Sequence, residues 1–276
     1  MKDCTRLQRW ALGIEYNGEG FAGWQIQDGL PTIQGALEEA LSAVAVAPIG
    51  VVVAGRTDSG VHALCQVVHF DAPVYRPALA WVRGGNRFLP EKVSIRWAKP
   101  VPPDFHARFS ATGRQYRYLI LNRRERPALD RGRVTWVPQH LDQEKMQQAA
   151  KLLLGTHDFS AFRAADCQAK SPIRTLRRLD IERSGEYLEI HCEANAFLHH
   201  MVRNLVGSLL LVGKGERSPT WIEQVLASKD RRAAGMTAPA EGLYFLHPQY
   251  PASYDLPIPM GYSFSLALTT RPVFGS

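Results

Sequence analysis

The stretch VVVAGRTDSGVHALCQVVHF, residues 51–70, contains two apolar runs that are separated by a loop of small and polar residues. Residues 51–55 and 65–70 predict two strands, because runs rich in valine bounded by Gly, Ser and Asp are typical of strands joined by turns. Asp58 lies in the loop, two residues after Arg56. An aspartate in such a loop can be a turn residue that bonds its own backbone. The alternative is that the Asp58 carboxylate takes part in catalysis or binding. Residues elsewhere in the chain distinguish a turn residue from a functional one.

The remainder of the chain is patterned as short strands and helices. Residues 9–16 alternate in polarity, which predicts a half-buried antiparallel strand. Residues 33–44 carry an apolar stripe at helical spacing, and Thr32 after Pro31 predicts the N-cap. The other predicted helices cover residues 77–88, 143–155, 197–213 and 221–228, and the other predicted strands cover residues 93–99, 114–121, 174–183, 187–194 and 242–246.

Regular patterning stops over residues 123–140, and we predict that this segment connects two halves of similar composition. Residues 1–122 form an N-terminal α+β half that carries the Asp58 loop, and residues 141–250 form a C-terminal α+β half. Residues 251–276 are a tail of unknown role. The strands do not alternate with helices as in a parallel sheet, so the predicted fold class is α+β with a mostly antiparallel sheet in each half.

Composition favours a globular protein with a polyanionic partner. The 276 residues are 45% hydrophobic and 21% charged, which is ordinary for a globular protein. The formal net charge is +7, which favours nucleic acid as the partner. Membrane surfaces are a weaker alternative, because no basic amphipathic helix stands out.

Cysteine spacing and hydropathy favour a cytoplasmic location. The four cysteines form no CxxC pair, and no apolar signal segment begins the chain, so we expect reduced thiols. They are Cys4, Cys65, Cys167 and Cys192. No apolar run approaches the roughly 20 residues of a transmembrane helix, and we expect no membrane association.

The segment NGEGFAG imitates a dinucleotide-binding motif. Gly18, Gly20 and Gly23 match GxGxxG directly after a predicted strand. That motif needs a helix to begin at the glycines, so that its N-terminus faces a pyrophosphate. Gly29 and Pro31 interrupt the following residues before a helix can form. We therefore predict no dinucleotide site, and interpret the segment as a flexible or substrate-contacting loop that carries Trp24.

Histidine spacing predicts no metal site. His199 and His200 are adjacent on the predicted helix, so their side chains should diverge by about 100° and fail to chelate one ion. His191 and Cys192 lie on a predicted strand and should face opposite sides of the sheet. We therefore expect these histidines and Cys192 to lie in the core or on the surface without binding a metal ion.

Arginines form the most informative pattern in the second quarter of the chain. Seven lie between residues 114 and 133, and only two acidic residues oppose them. They are Arg114, Arg117, Arg123, Arg124, Arg126, Arg131 and Arg133. Guanidinium groups suit bidentate phosphate contacts, and Tyr116 and Tyr118 within the run supply rings for stacking on unpaired bases. An RNA-binding surface is the prediction, and a solvated charged surface is the alternative.

Arg203 lies on the predicted helix of residues 197–213, on the side that His199 shares. A cation in an otherwise apolar helix usually needs a carboxylate or phosphate partner. We therefore predict that Arg203 pairs with a carboxylate at a site. A surface arginine is the alternative.

Six stretches together resemble the tRNA pseudouridine synthase A family, which isomerises uridines in the tRNA anticodon arm. They cover residues 13–25, 54–70, 84–90, 104–120, 194–213 and 237–245, in the family's order. Two positions depart from the family pattern: Ser59 replaces an alanine and Cys65 replaces a glycine. Both departures are small residues close to Asp58 rather than at it.

The resemblance implies a role for each candidate residue. Asp58 is the catalytic nucleophile, Arg56 and Arg203 are its positively charged neighbours, and Tyr116 packs on the target base. It further implies a pseudouridine synthase fold of two α+β halves with the active-site cleft between them. The reaction converts uridine at positions 38, 39 and 40 of tRNA, without cofactor or metal, and the enzyme is a homodimer. The arginines that we expect to contact RNA are Arg114, Arg117, Arg123, Arg124 and Arg126.

Two other classes of function remain open from the sequence. A catalytically silent RNA-binding protein would bind tRNA without forming product. An oxidoreductase that uses the glycine-rich segment would bind a dinucleotide. Whether Asp58 attacks C1′, attacks C6 or removes the 2′ proton also stays open, as does the base that removes the C5 proton, for which Tyr116 and a water molecule are the candidates.

We expect pseudouridine formation without any added cofactor, because the isomerisation neither oxidises the base nor imports a group. Activity on unmodified tRNA should survive exhaustive chelation and dialysis in the absence of nucleotide. The measurement is the position-resolved yield of carbodiimide adducts before and after treatment. Recovery of activity only on addition of zinc or a dinucleotide would contradict the prediction.

Overall fold

The computed structural model describes residues 7–257, which form a mixed, mostly antiparallel α+β structure. Residues 258–276 of the predicted tail, and Cys4, lie outside the described residues. The strands are β1 (Gln8–Tyr16), β2 (Val52–Val53), β3 (His62–Ala72), β4 (Val93–Pro100), β5 (Gly113–Leu121), β6 (Thr135–Trp136), β7 (Gly155–Asp158), β8 (Ile173–Ser184), β9 (Tyr187–Ala194) and β10 (Leu243–Gln249). The helices are α1 (Ile33–Ala45), α2 (Gly85–Phe88), α3 (Gln143–Lys151), α4 (Met201–Gly213) and α5 (Trp221–Ser228).

All ten strands belong to one sheet, so the expectation of a separate sheet in each half is wrong. The order is β4-β1-β3-β10-β5-β9-β8-β7, with β2 paired to β3 and β6 paired to β5. Strand β10, from the C-terminal segment, lies between β3 and β5 of the N-terminal segment. It is parallel to β3, with Tyr244 opposite His62, and antiparallel to β5, with Leu243 opposite Tyr118. The insertion of β10 removes the sheet edges that two separate halves would have exposed.

Apolar side chains form two large clusters along this sheet. One contains Leu12 and Ile14 of β1 with Leu37 and Leu41 of α1. The other joins β5, β8 and β9 to α3 and α4, and its members include Leu205 of α4. A smaller cluster contains Ala11, Val67 and Phe105. Since side chains of a strand alternate between faces, Ala11 lies on the opposite face of the sheet from Leu12.

Helix α1 follows the predicted pattern, with Thr32 as its N-cap, and the Thr32 hydroxyl accepts a hydrogen bond from Gly35 N. The predicted helix of residues 77–88 is instead a π-helical turn, Ala80–Gly84, followed by α2. The short strands β6 and β7 had no visible sequence pattern. The two residues of β6 and the four of β7 are too few for the alternation by which a strand is recognised. No helix among residues 7–257 is long and apolar enough to cross a membrane.

Helix α4 begins at Met201, four residues later than the sequence pattern predicts. His200 occupies the N-cap position with φ of 59°, in the left-handed region. A non-glycine residue in this conformation cannot continue a helix. Residues 197–200 therefore approach α4 as an irregular segment, which allows His199 and His200 to point in directions that a helix would forbid.

The backbone of residues 235–238 crosses α4 at Gly207. A Cβ atom on Gly207 would overlap the carbonyl oxygen of Met236. Ala238 N donates a hydrogen bond to Arg203 O at 3.1 Å, and Arg203 Nε donates to Ala238 O at 2.8 Å. The close approach that Gly207 permits therefore also orients the Arg203 side chain.

We expect Gly207→Ala to destabilise the protein by about 1–3 kcal/mol, because the added methyl group must displace a packed backbone segment. Alanine favours a helix over glycine by only about 1 kcal/mol, which does not offset the overlap. The measurement is the free energy of unfolding from urea titration followed by circular dichroism.

Gly50→Ala is the matched control, because no atom lies within 4 Å of its added Cβ and its φ is not positive. Its free energy of unfolding should stay within about 0.5 kcal/mol of wild type. Equal stability of Gly207→Ala and wild type would show that the crossing segment moves freely.

Candidate active site

The Asp58 loop is fixed by hydrogen bonds to β1, β3 and the segment before α1. Trp24 N donates to Thr57 O at 3.0 Å, and the hydroxyls of Tyr16 and Thr57 lie 2.7 Å apart. Gln66 Nε2 donates to Gly55 O at 2.7 Å. Three separate contacts of this kind leave the loop little freedom, so the position of its carboxylate is set by the sheet.

The glycine-rich segment supports this loop rather than a nucleotide. Gly23 has φ of 98°, and a Cβ there would lie 2.9 Å from Thr57 O. A Cβ on Gly18 would overlap the backbone of Val61. Trp24 is 1% exposed and packs in the core. The segment also lines the cavity at Asp58 through Ala22, Trp24 and Gln25, so its interpretation as a substrate-contacting loop stays a prediction. The glycines are needed because two backbone segments lie against each other.

Both departures from the family pattern fit their surroundings. Ser59 Oγ donates a hydrogen bond to Phe21 O at 3.0 Å, which links the loop to the glycine-rich segment. Cys65 is buried in the cluster with Ala11 and Val67. Burial raises the pKa of the Cys65 thiol to about 12, so this group is an inert packing side chain.

Three side chains meet at the Asp58 carboxylate. Arg203 Nη1 donates a hydrogen bond to Asp58 Oδ2 at 3.1 Å. His199 Nε2 lies 3.2 Å from Oδ1 of Asp58, and His200 Nε2 lies 3.3 Å from Oδ2. The Asp58 side chain is 22% exposed, so its oxygens are partly removed from water but open on one side. The three nitrogen-bearing side chains therefore surround the carboxylate on its protein side and leave the cavity side open.

The prediction that His199 and His200 diverge is wrong. Their ring centroids lie 4.1 Å apart, and both rings face Asp58. The physical reason is the irregular backbone before α4: at φ of 59°, His200 does not follow the 100° rotation of a helix. Burial lowers the pKa of His200 first of all, and the neighbouring Asp58 partly opposes that shift.

A cavity of about 1100 Å³ opens onto Asp58. Its lining comes from both predicted halves of the chain, on one side the Asp58 loop and Tyr116 of β5, on the other residues 166–169 and 196–203. Arg56 lines the cavity and is exposed, but among residues 7–257 we find no ion pair or hydrogen bond that it makes. The structure therefore brings Asp58, Arg203 and Tyr116 together, and places Arg56 at the same cavity without contact to the carboxylate.

The ring of Tyr116 forms part of the cavity wall. It packs edge-to-face against Phe197 and Phe245, each with ring centroids 5.0 Å away. Burial raises the pKa of the Tyr116 phenol well above its ordinary value, and the negative charge of Asp58 raises it further. The phenol is therefore protonated at neutral pH, and the site holds a flat, neutral aromatic surface next to the carboxylate.

The five arginines expected to bind RNA fall into different environments. Arg117 is 1% exposed, lies 3.7 Å from Glu189 and packs over the ring of Tyr244, so it cannot reach RNA and its prediction is corrected. Arg114 lines the cavity and donates to Ala54 O and Asn195 O. Arg123, Arg124 and Arg126 lie after β5. Arg123 forms an ion pair with Glu186, and Arg124 and Arg126 are exposed.

Sequence reasoning missed several residues of the cavity. His199 and His200 were assigned to a helix, although no capping residue marked where that helix starts. Arg108 and Arg174 also line the cavity. Arg108 lies in a stretch that resembles the family, residues 104–120. Arg174 lies close in sequence to two further arginines, Arg177 and Arg178, so both positions had a sequence signal that the set of expected RNA contacts did not use.

Comparison with known proteins agrees with this geometry. The family model described as tRNA pseudouridine synthase matches residues 13–110 and 149–251. The chain is 59% identical over 251 residues to a tRNA pseudouridine synthase A of Dechloromonas aromatica, covering 91% of this chain and 96% of the relative. Identity to the proteins of the same name from Nitrosococcus oceani and Vibrio parahaemolyticus is 54% and 52%, over 90% and 92% of this chain and 96% of each relative. This chain therefore belongs to the tRNA pseudouridine synthase family.

Proposed function

We propose that this protein converts uridine to pseudouridine at positions 38, 39 and 40 in the anticodon arm of tRNA, in the cytoplasm. The observation that carries the proposal is the Asp58 carboxylate, which is held by Arg203 at 3.1 Å at the wall of a large cavity. Asp58 is the catalytic nucleophile, and Arg203 orients it through this hydrogen bond. Arg56, which lines the same cavity, is placed to meet the RNA backbone at the target nucleotide.

The chemistry requires what this site offers. The N1–C1′ bond of uridine breaks, the uracil turns, and a new bond forms between C5 and C1′. The C5 proton is lost and N1 gains a proton, so the product is an isomer of the substrate and no redox partner is needed. An ionised carboxylate beside the sugar and base supports either nucleophilic attack or elimination and readdition.

Access to the target requires that the nucleotide leave its stack. A cavity of about 1100 Å³ is large enough to admit one nucleotide. Tyr116 offers a neutral ring on which the base can pack, since burial and Asp58 keep its phenol protonated. The lining from both parts of the chain supports an active-site cleft between two halves, and two copies of the chain are proposed to bind one tRNA together.

We expect Asp58→Asn to abolish pseudouridine formation, because the amide keeps the size of the side chain but loses its charge and nucleophilic oxygen pair. The variant should fold and should bind tRNA with an affinity close to that of wild type, since other residues hold the phosphates. The measurement is a single-turnover assay with enzyme in excess, alongside filter binding of the same tRNA.

Asp28→Asn is the matched control, because Asp28 is an exposed loop residue in the segment before α1. Its turnover should equal that of wild type. If Asp58→Asn keeps a tenth or more of the wild-type rate, Asp58 is a turn residue and the assigned mechanism is wrong. Loss of tRNA binding in Asp58→Asn would instead place the carboxylate in RNA recognition.

We expect the exposed arginines after β5 to contribute to the salt dependence of tRNA binding. Arg124 and Arg126 are exposed, whereas Arg123 is paired with Glu186. Each phosphate contact releases condensed counterions, so the Arg124→Ala, Arg126→Ala double variant should lower the slope of log affinity against log salt by about 2. Arg123→Ala should lower it less, because Glu186 already offsets its charge.

Arg232→Ala is the control for general loss of charge, because Arg232 is exposed and paired with Asp230. Its salt slope should match that of wild type. An unchanged slope in the double variant would return Arg124 and Arg126 to a solvated surface with no RNA contact.

A further inference from the structure

Asp58, His199 and His200 bring three potential metal-ligand atoms together at the cavity. One potential ligand atom from each residue lies within 4.8 Å of the other two. Two imidazoles and one carboxylate are a donor set that zinc and related divalent ions favour. The three side chains are between 22% and 34% exposed, so the cluster is accessible from the cavity.

The distances within the cluster fit one small ion. His199 Nε2 lies 3.2 Å from Asp58 Oδ1, and His200 Nε2 lies 3.3 Å from Asp58 Oδ2. Two ligand atoms bound tetrahedrally at about 2.0–2.1 Å are about 3.3 Å apart. Each imidazole therefore already lies at a ligand-to-ligand distance from one oxygen of the carboxylate, and the set as a whole lies within 4.8 Å.

Asp166 orients His199 in the manner of an outer-shell carboxylate. Asp166 Oδ1 lies 3.0 Å from His199 Nδ1. A histidine that donates its Nδ1 proton to a carboxylate presents Nε2 as an acceptor, the form that binds metals. In this form Nε2 faces the Asp58 carboxylate acceptor to acceptor, which is repulsive unless a proton or a metal ion lies between them. In this tautomer, a cation between the two atoms relieves the repulsion.

His200 is held toward the cluster by its backbone. Its φ of 59° is a conformation that costs free energy for a residue other than glycine and persists only where the surroundings fix it. Helix α4 begins at the next residue, which anchors this conformation. The His200 ring is thus placed beside Asp58 before any ion binds.

We propose that Asp58, His199 and His200 bind one zinc-like divalent ion, and that this ion inhibits the enzyme. The two carboxylates of Asp58 and Asp166 balance the charge of the ion, while Arg203 remains beside Oδ2 of Asp58. Inhibition rests on the proposed function, because a bound ion occupies the carboxylate that must face the uridine. Metal binding itself does not rest on that function and has a separate measurement.

The first experiment measures binding without activity. Purified full-length protein is titrated with Co²⁺, and the visible d–d absorption of the bound ion gives the affinity. His199→Gln and His200→Asn should each weaken binding at least tenfold, and Asp166→Asn should weaken it by about ten- to a hundredfold. Asparagine is used at residue 200 because it tolerates the left-handed backbone. His140→Ala, at an exposed histidine outside the site, should bind Co²⁺ like wild type.

The second experiment measures pseudouridine formation with increasing Zn²⁺. The rate should fall as Zn²⁺ occupies the site, and a chelator should restore it fully. Unchanged Co²⁺ affinity in both histidine variants, with folding checked by thermal unfolding, would overturn the proposed site. A cobalt–thiolate charge-transfer band would overturn it as well, by placing the ion on a cysteine. Site-dependent Co²⁺ binding in a protein that forms no pseudouridine would leave the metal site standing and refute the proposed function alone.

Discussion

The pairing of β10 with both β3 and β5 is the interaction on which the rest of the structure depends. Strand β10 follows α4 and α5 in the chain, yet it lies between two strands from the first 121 residues. Phe245 packs in the cluster of β1 and α1, and Leu243 packs in the cluster of α3 and α4. One strand thus joins two cores that would otherwise be separate. Buried backbone hydrogen bonds on both of its edges make this junction rigid.

The rigid junction brings together residues that are far apart in the chain. Asp58 and Arg203 are separated by 145 residues and meet at 3.1 Å. The Asp58 loop is set by β1 and β3, while Arg203 is set by α4 and the segment that crosses it at Gly207. Neither element could hold a partly buried carboxylate alone, because burying a charge without a partner is costly. Phe245 on β10 also supports Tyr116 at the wall of the same cavity.

The Asp58 carboxylate is surrounded by nitrogen groups, and this has two consequences. Arg203 carries a guanidinium charge and donates a hydrogen bond to Asp58 Oδ2, and it has no lone pair to offer a metal ion. His199 and His200 are different, because each neutral ring offers a lone pair as well as a proton site. The two histidines and the aspartate are therefore also the ligands of the proposed metal site. The proposed reactivity toward uridine and the proposed affinity for a divalent ion rest on the same geometry.

The sequence by itself determined the local elements and the candidate residues. Neighbouring residues alone predict the alternating strand of residues 9–16, the Thr32 cap of α1 and the small-residue loop around Asp58. The resemblance to the family assigned roles to Asp58, Arg203 and Tyr116. Tertiary structure alone decided that the two halves share one sheet, that Arg117 is interior and that both histidines face Asp58. Propensity and periodicity describe contacts along the chain. The insertion of β10 and the left-handed backbone at His200 instead depend on packing between distant segments, which no local pattern encodes.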